Sequence, residues 1–190
     1  MSEKNSCLYK LSIVKKVNAV LSLLCTVLVI IHGLYDALWM ASRGKMPMLS
    51  KPFTIALMVV VIIHIILSII SLIVNSKGKT KEEKTYVKDN IKTIIQRVTG
   101  ILMLVLLVFH IIGMQNHLLP HMLHAIVHPV FFLVVYIHTM LSFSKSMITL
   151  GIGNAKGIKV MDIIMYIICI LLFIVSVVGL YLVMFGSWQG

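Results

Sequence analysis

The chain has 190 residues, of which 59% are hydrophobic and only 12% charged. A soluble domain sits nearer half apolar with about a quarter of its residues charged, so an ordinary water-soluble enzyme is excluded. The net charge of +11 would suit nucleic acid, but the placement of the basic residues described below does not.

A membrane-spanning helix needs roughly 20 apolar residues. Five such runs occur in chain order, at about 14–41, 54–75, 93–115, 121–144 and 160–185. These predict an all-α membrane protein of five transmembrane helices, a single domain over 1–190. The connections are short, so chemistry is expected inside the helix bundle or on a partner.

The first run is too long for a signal-peptide core, carries Asp36 and lacks a small-residue cleavage site, so it reads as uncleaved. Lys4, Lys10, Lys15 and Lys16 lie at or before its start. Lys77, Lys79, Lys81, Lys84, Lys88, Lys92 and Arg97 lie between helices 2 and 3, and Lys145, Lys156 and Lys159 between helices 4 and 5. Only Arg43, Lys45 and Lys51 fall at the other end. The positive-inside rule then places the N-terminus in the cytoplasm and the C-terminus outside, in a multi-pass protein of the cell membrane. The basic side is expected to meet anionic lipid headgroups rather than nucleic acid. Cys7, Cys25 and Cys169 form no C-x-x-C pair and no disulfide framework.

Residues three, four and seven apart share a helix face, and in lipid a helix turns its polar face toward its neighbours. Helix 1 aligns Asn18, Ser22, Cys25, His32 and Asp36. Helix 2 aligns His64, Ser68, Ser71 and Asn75. Helix 3 aligns Thr99, Met103, His110, Gly113 and, just beyond, His117. Helix 4 aligns His121, His124, His128, Phe131, Val135, His138, Ser142 and Lys145. Helix 5 has Asp162, Tyr166, Cys169 and Ser176 but no histidine.

A lone intramembrane histidine can simply bond a neighbouring helix. Four helices each offering an inward histidine point to chemistry. Neutral imidazole is a good ligand for heme iron, and two imidazoles from facing helices fill both axial positions. Four ligands make two b-type hemes, with the first four helices forming the heme-binding bundle. His32 lies roughly 24 Å along its helix from Lys16, and His110 roughly 20 Å from Arg97. His138 lies roughly 10 Å from Lys145, and His64 roughly 20 Å from Lys77. Depth favours pairing His32 with His110 and permits pairing His64 with His138. Arg97 and Lys145 stand where heme propionates of the inner pair need cations, although both also suit ordinary positive-inside residues.

Other classes stay open. His117, His121, His124 and His128 are spaced for metal chelation at the outer face, which would suit a metal or heme transporter. Pro120 and Pro129 interrupt that run. Some b-type cytochromes place two ligands on each of two helices. His124 and His138 have a spacing of that kind, but helix 2 offers only His64. A structural anchor without hemes is a third possibility.

Helix 3 reads IIQRVTGILMLVLLVFHIIG. It resembles the third transmembrane helix of the diheme cytochrome b subunit of menaquinone-type succinate dehydrogenases and quinol–fumarate reductases. That family carries a Q-R-x-[ST]-G element and a heme-ligating histidine fourteen residues after the glutamine. Gln96, Arg97, Thr99, Gly100 and His110 stand at those positions here. PFTIAL before helix 2 and Gly151, thirteen residues after His138, are similar too. The connection 43–52 is shorter than in that family.

The resemblance implies a distal heme on His32 and His110 and a proximal heme on His64 and His138. It also implies menaquinone as substrate, and cytoplasmic flavoprotein and iron–sulfur subunits as partners. The chain is then an electron-transfer subunit with no dicarboxylate site of its own. A quinol gives up protons with its electrons, so an outer quinol site needs a proton acceptor. Asp36 lies one turn beyond His32 on the same face and is the candidate, with Tyr35, His117 and His121 as possible bonds to the quinone oxygens. Asp36 could instead sit in headgroup water, paired with Arg43 or Lys45.

Overall fold

The computed structural model describes the backbone of residues 3–42, 51–78, 91–116 and 121–186. Side chains within those stretches are described for 12–42, 51–73, 91–111, 123, 125–182 and 184. Five helices fill the described residues, with no strand among them: α1 Glu3–Ala41, α2 Lys51–Gly78, α3 Ile91–Asn116, α4 His121–Leu150 and α5 Ala155–Gly186. All five are long and apolar enough to cross a membrane, over Ser12–Ala41, Lys51–Ile73, Ile91–Ile111, Ala125–Leu150 and Ala155–Leu182. The sequences are rich in β-branched Ile and Val, which favour strands in water. In lipid every backbone polar group must be satisfied within the segment, and only the helix achieves that here. Each helix runs past its apolar stretch because the helical hydrogen bonds continue through the flanking polar residues.

Helix α4 ends where Gly151 takes a positive φ of 70°. The Ile152 N–H then donates to Met147 and the Gly151 N–H to Ile148, a Schellman closure that satisfies carbonyls left at the helix end. Three residues on, the Asn154 side chain caps α5 by accepting from the Gly157 N–H at 2.8 Å. The α4–α5 connection is therefore four residues long, with hydrogen bonds closing α4 and capping α5. Pro129, inside α4, has no N–H to give to the carbonyl four residues back. That carbonyl, on Ala125, accepts instead from the Tyr181 hydroxyl of α5 at 3.4 Å.

The centre of the molecule is a triangle of α1, α4 and α5, each packed on the other two. Its core joins Tyr136, Phe143, Met165, Cys169 and Leu172, with Leu23, Ile30 and Phe132 against them. Small residues let the backbones approach, as membrane helices require. Ala37 and Cys169 are fully buried, and a Cβ on Gly179 of α5 would stand 3.1 Å from the Ala37 carbonyl of α1. Among the described residues, α2 packs on α1 and α3 on α4. Among the described residues no direct backbone contact joins α2 to α3, α1 to α3 or α2 to α4. Apolar residues of α2 (Ile55, Val59, Ile62, Ile66) and α3 (Val98, Ile101, Val105, Val108) are exposed, as lipid-facing stripes are. The surroundings such a protein requires are those of a lipid bilayer.

Candidate functional site

The polar stripes meet inside the bundle. From α1, Asn18 donates its side-chain N–H to the Ser68 hydroxyl of α2 at 3.1 Å. One turn before Ser68, the His64 ring lies near the Asn18 backbone. Its Nδ1 is buried without a hydrogen-bond partner, as is the Ser71 hydroxyl on the same face.

His138 of α4 is held from the other side by α3. Its Nδ1 lies 3.1 Å from the Gln96 carbonyl oxygen and 3.2 Å from Thr99 Oγ1. The Thr99 hydroxyl has one proton and stands 2.8 Å from the Ile95 carbonyl as donor. A carbonyl can only accept, so the proton between His138 and Gln96 belongs to Nδ1. Nε2 is then the nitrogen with the lone pair. Gly100 makes room for the ring, since a Cβ there would stand 3.2 Å from its Cε1 carbon. The His64 and His138 imidazoles are close enough to interact electrostatically, although α2 and α4 do not pack on each other.

Lys145, the proposed propionate cation, donates to Gln96 Oε1 at 3.1 Å, and Gln96 Nε2 donates to Ser142 Oγ at 3.0 Å. Arg97 is exposed on α3. Beyond Lys145, the Ser144 hydroxyl donates to Asp162 of α5.

Toward the other end of the bundle, His32 and Asp36 close on each other, with Nε2 and Oδ2 3.2 Å apart. His32 Nδ1 is buried without a hydrogen-bond partner. His110 of α3 stacks on Phe131 with ring centroids 4.8 Å apart and meets His128 edge-on at 5.3 Å. His128 is only 3% exposed. It lies in the α3–α4 contact, against the His110 ring. His117 lies outside the described residues, as do Arg43 and Lys45, and the side chains of Asn75, His121 and His124 are not described. Among the described residues no group of three or more His, Cys, Asp or Glu could hold a metal ion. Tyr35 is exposed on α1, 38% accessible.

Among the described residues, neither helix pair expected to share a heme, α2 with α4 or α1 with α3, is in direct backbone contact. The residues fit a heme best at His64 and His138. One ring there is oriented by hydrogen bonds to its far nitrogen, and the other has a buried, unsatisfied nitrogen that is costly unless a group occupies it. At the second pair the donor types fit equally, but His32 Nε2 is held by Asp36 and His110 rests on Phe131. Ligation there requires His32 to turn away from Asp36 or to use Nδ1.

Sequence periodicity placed the histidines on inward faces without revealing what each would meet. It missed Tyr136, whose hydroxyl lies 3.3 Å from Ser176 Oγ and fills the space left by Gly33. The signal available was Gly33 beside His32 on a helix otherwise rich in large residues. No protein-family model, curated protein or solved structure matches the chain.

Proposed function

We propose that this chain is a membrane-anchor diheme cytochrome b. It passes electrons between menaquinone or menaquinol in the bilayer and a cytoplasmic flavoprotein complex of the succinate dehydrogenase or fumarate reductase kind. The observation that supports the proposal is the His138 site, where α3 holds Nδ1 through the Gln96 carbonyl and Thr99 hydroxyl, so that the lone pair falls to Nε2. A metal-ligating histidine characteristically has its other ring nitrogen fixed by a hydrogen bond.

His64 and His138 would hold the proximal heme, and His32 and His110 the distal one. When bound, each heme would supply a one-electron carrier. The protein's own part is orientation and proton handling. Thr99 and Gln96 fix the His138 ring, and the apolar exteriors of α2 and α3 keep water from the interior. Asp36 is the group beside the distal ligand that can accept a proton from a quinol. Lys145 brings a positive charge within electrostatic reach of His138. The basic end of the bundle faces the cytoplasm by the positive-inside rule and is where the soluble subunits dock.

The test is heme content. Protein purified in detergent should carry about two hemes per chain, low-spin in both oxidation states. His138→Ala or His64→Ala should remove one heme and spare the other, and His110→Ala should remove the opposite one. One heme or none in the intact protein would overturn the four-ligand assignment.

A further inference from the structure

In the helix 3 element Gln96-Arg97-Val98-Thr99-Gly100, three of the five residues converge on one atom group, the Nδ1–Cε1 edge of His138 on the neighbouring helix. The Gln96 carbonyl accepts from Nδ1, Thr99 Oγ1 stands 3.2 Å from the same nitrogen, and Gly100 leaves the gap into which Cε1 fits. A helical carbonyl is normally occupied by the N–H four residues on. Here the Gln96 carbonyl is also offered to a ring, and it lies in reach because residue 100, whose N–H it serves, has no side chain to hold the ring off. Thr99 is buried, so its hydroxyl has no water competing for it.

We propose that Thr99, with the Gln96 carbonyl and the side-chain-free Gly100, is a positioning device for His138 that sets the reduction potential of the heme this histidine holds. The inference rests on the heme assignment above. It concerns α3 acting on a ligand carried by α4, not the ligand carried by α3 itself. Hydrogen-bond acceptors at the far nitrogen of a ligating imidazole increase its basicity and favour the ferric iron. Thr99 and Gln96 together therefore hold the His138 heme at a lower potential than a free imidazole would give.

The experiment is a redox titration of the purified protein, followed by heme absorbance and low-spin electron paramagnetic resonance. The His138 heme is identified by its loss in His138→Ala. Thr99→Val keeps the size and removes the acceptor. It should raise the potential of the His138 heme and shift its resonance, leaving the other heme unchanged. Thr99→Ser keeps the hydroxyl and should restore wild-type values, which a packing role for the threonine methyl would not. Gly100→Ala, which pushes on the ring itself, should move the same heme's resonance and not the other's. Loss of the His138 heme alone in Thr99→Val, regained in Thr99→Ser, supports the same device. Wild-type potentials and resonances in Thr99→Val and Gly100→Ala, with the heme still lost in His138→Ala, overturn the device and leave the heme assignment standing. A wild-type protein without heme overturns the assignment and the device with it.

Discussion

His32 and Asp36 are one helical turn apart, and their side chains meet at 3.2 Å. In a membrane helix this pairing has a purpose, because an unpaired carboxylate in lipid is expensive. Asp36 takes its partner from its own helix, and both groups stay half-buried on the face turned to the bundle. The same contact joins a proposed iron ligand to a proposed proton acceptor, which suits an oxidation that releases electrons and protons together. Replacing Asp36 with Asn keeps the shape and removes the proton acceptor. In a preparation that retains both hemes, Asp36→Asn should slow quinol oxidation by about 10²-fold or more, the usual contribution of a positioned acid–base group. Heme spectra should be unchanged. Stopped-flow reduction by a quinol analogue measures it, and wild-type turnover across the pH range would remove Asp36 from the mechanism.

At the scale of the helices, apolar length and polar period were legible in the sequence because the bilayer leaves the backbone so few options. Each predicted span falls within an observed helix. The ends were not legible. Lys51, Lys145 and Lys156 are charged, yet they lie within α2, α4 and α5, since a helix entering headgroup water has no reason to stop. Nor does the period of one helix reveal which neighbour its stripe will meet. The stripe of α5, polar but without histidine, carries Cys169 and Ser176 into the α1–α4–α5 core, and Thr99 meets a histidine of α4 rather than serving His110 on its own helix. The α1–α5 contact tests this packing. A Cβ at Gly179 already stands 3.1 Å from both the Ala37 carbonyl and the Met40 Cβ, and backbone cannot move aside as a flexible side chain can. Gly179→Val should therefore destabilise the protein by about 1–3 kcal/mol, the usual cost of overpacking. Val178→Ala, on the neighbouring lipid-facing position with 52% exposure, should stay within about 0.5 kcal/mol. Thermal unfolding in detergent distinguishes them, and equal losses at the two positions would mean that α1 and α5 do not approach as described.

The described helices form a triangle with two further helices outside it, each packed on one member of the triangle. α1, α4 and α5 pack on one another, whereas α2 is held through α1 and α3 through α4. The outlying helices are also the least buried over their spans. The Asn18–Ser68 bond joins α2 to α1, and Gln96 and Thr99 of α3 bond Ser142, His138 and Lys145 of α4; each such contact is worth on the order of 0.6 kcal/mol between membrane helices. In the proposed protein each heme joins an outlying helix to the triangle, α2 to α4 through His64 and His138, and α3 to α1 through His110 and His32. A ligand that binds the folded state stabilises the elements it bridges in proportion to its affinity, and segments with few buried contacts open first. Removing heme should therefore loosen α2 and α3 selectively. Hydrogen–deuterium exchange on protein produced under heme limitation, compared with replete protein, should show protection falling in 51–73 and 91–111 while 161–180 of α5 stays protected. His138→Ala should confine the loss mainly to α2, because α3 still binds the distal heme. If exchange instead rises evenly through all five helices, or does not respond to heme, the hemes do not bridge the outlying helices, and the triangle alone sets the stability of the fold.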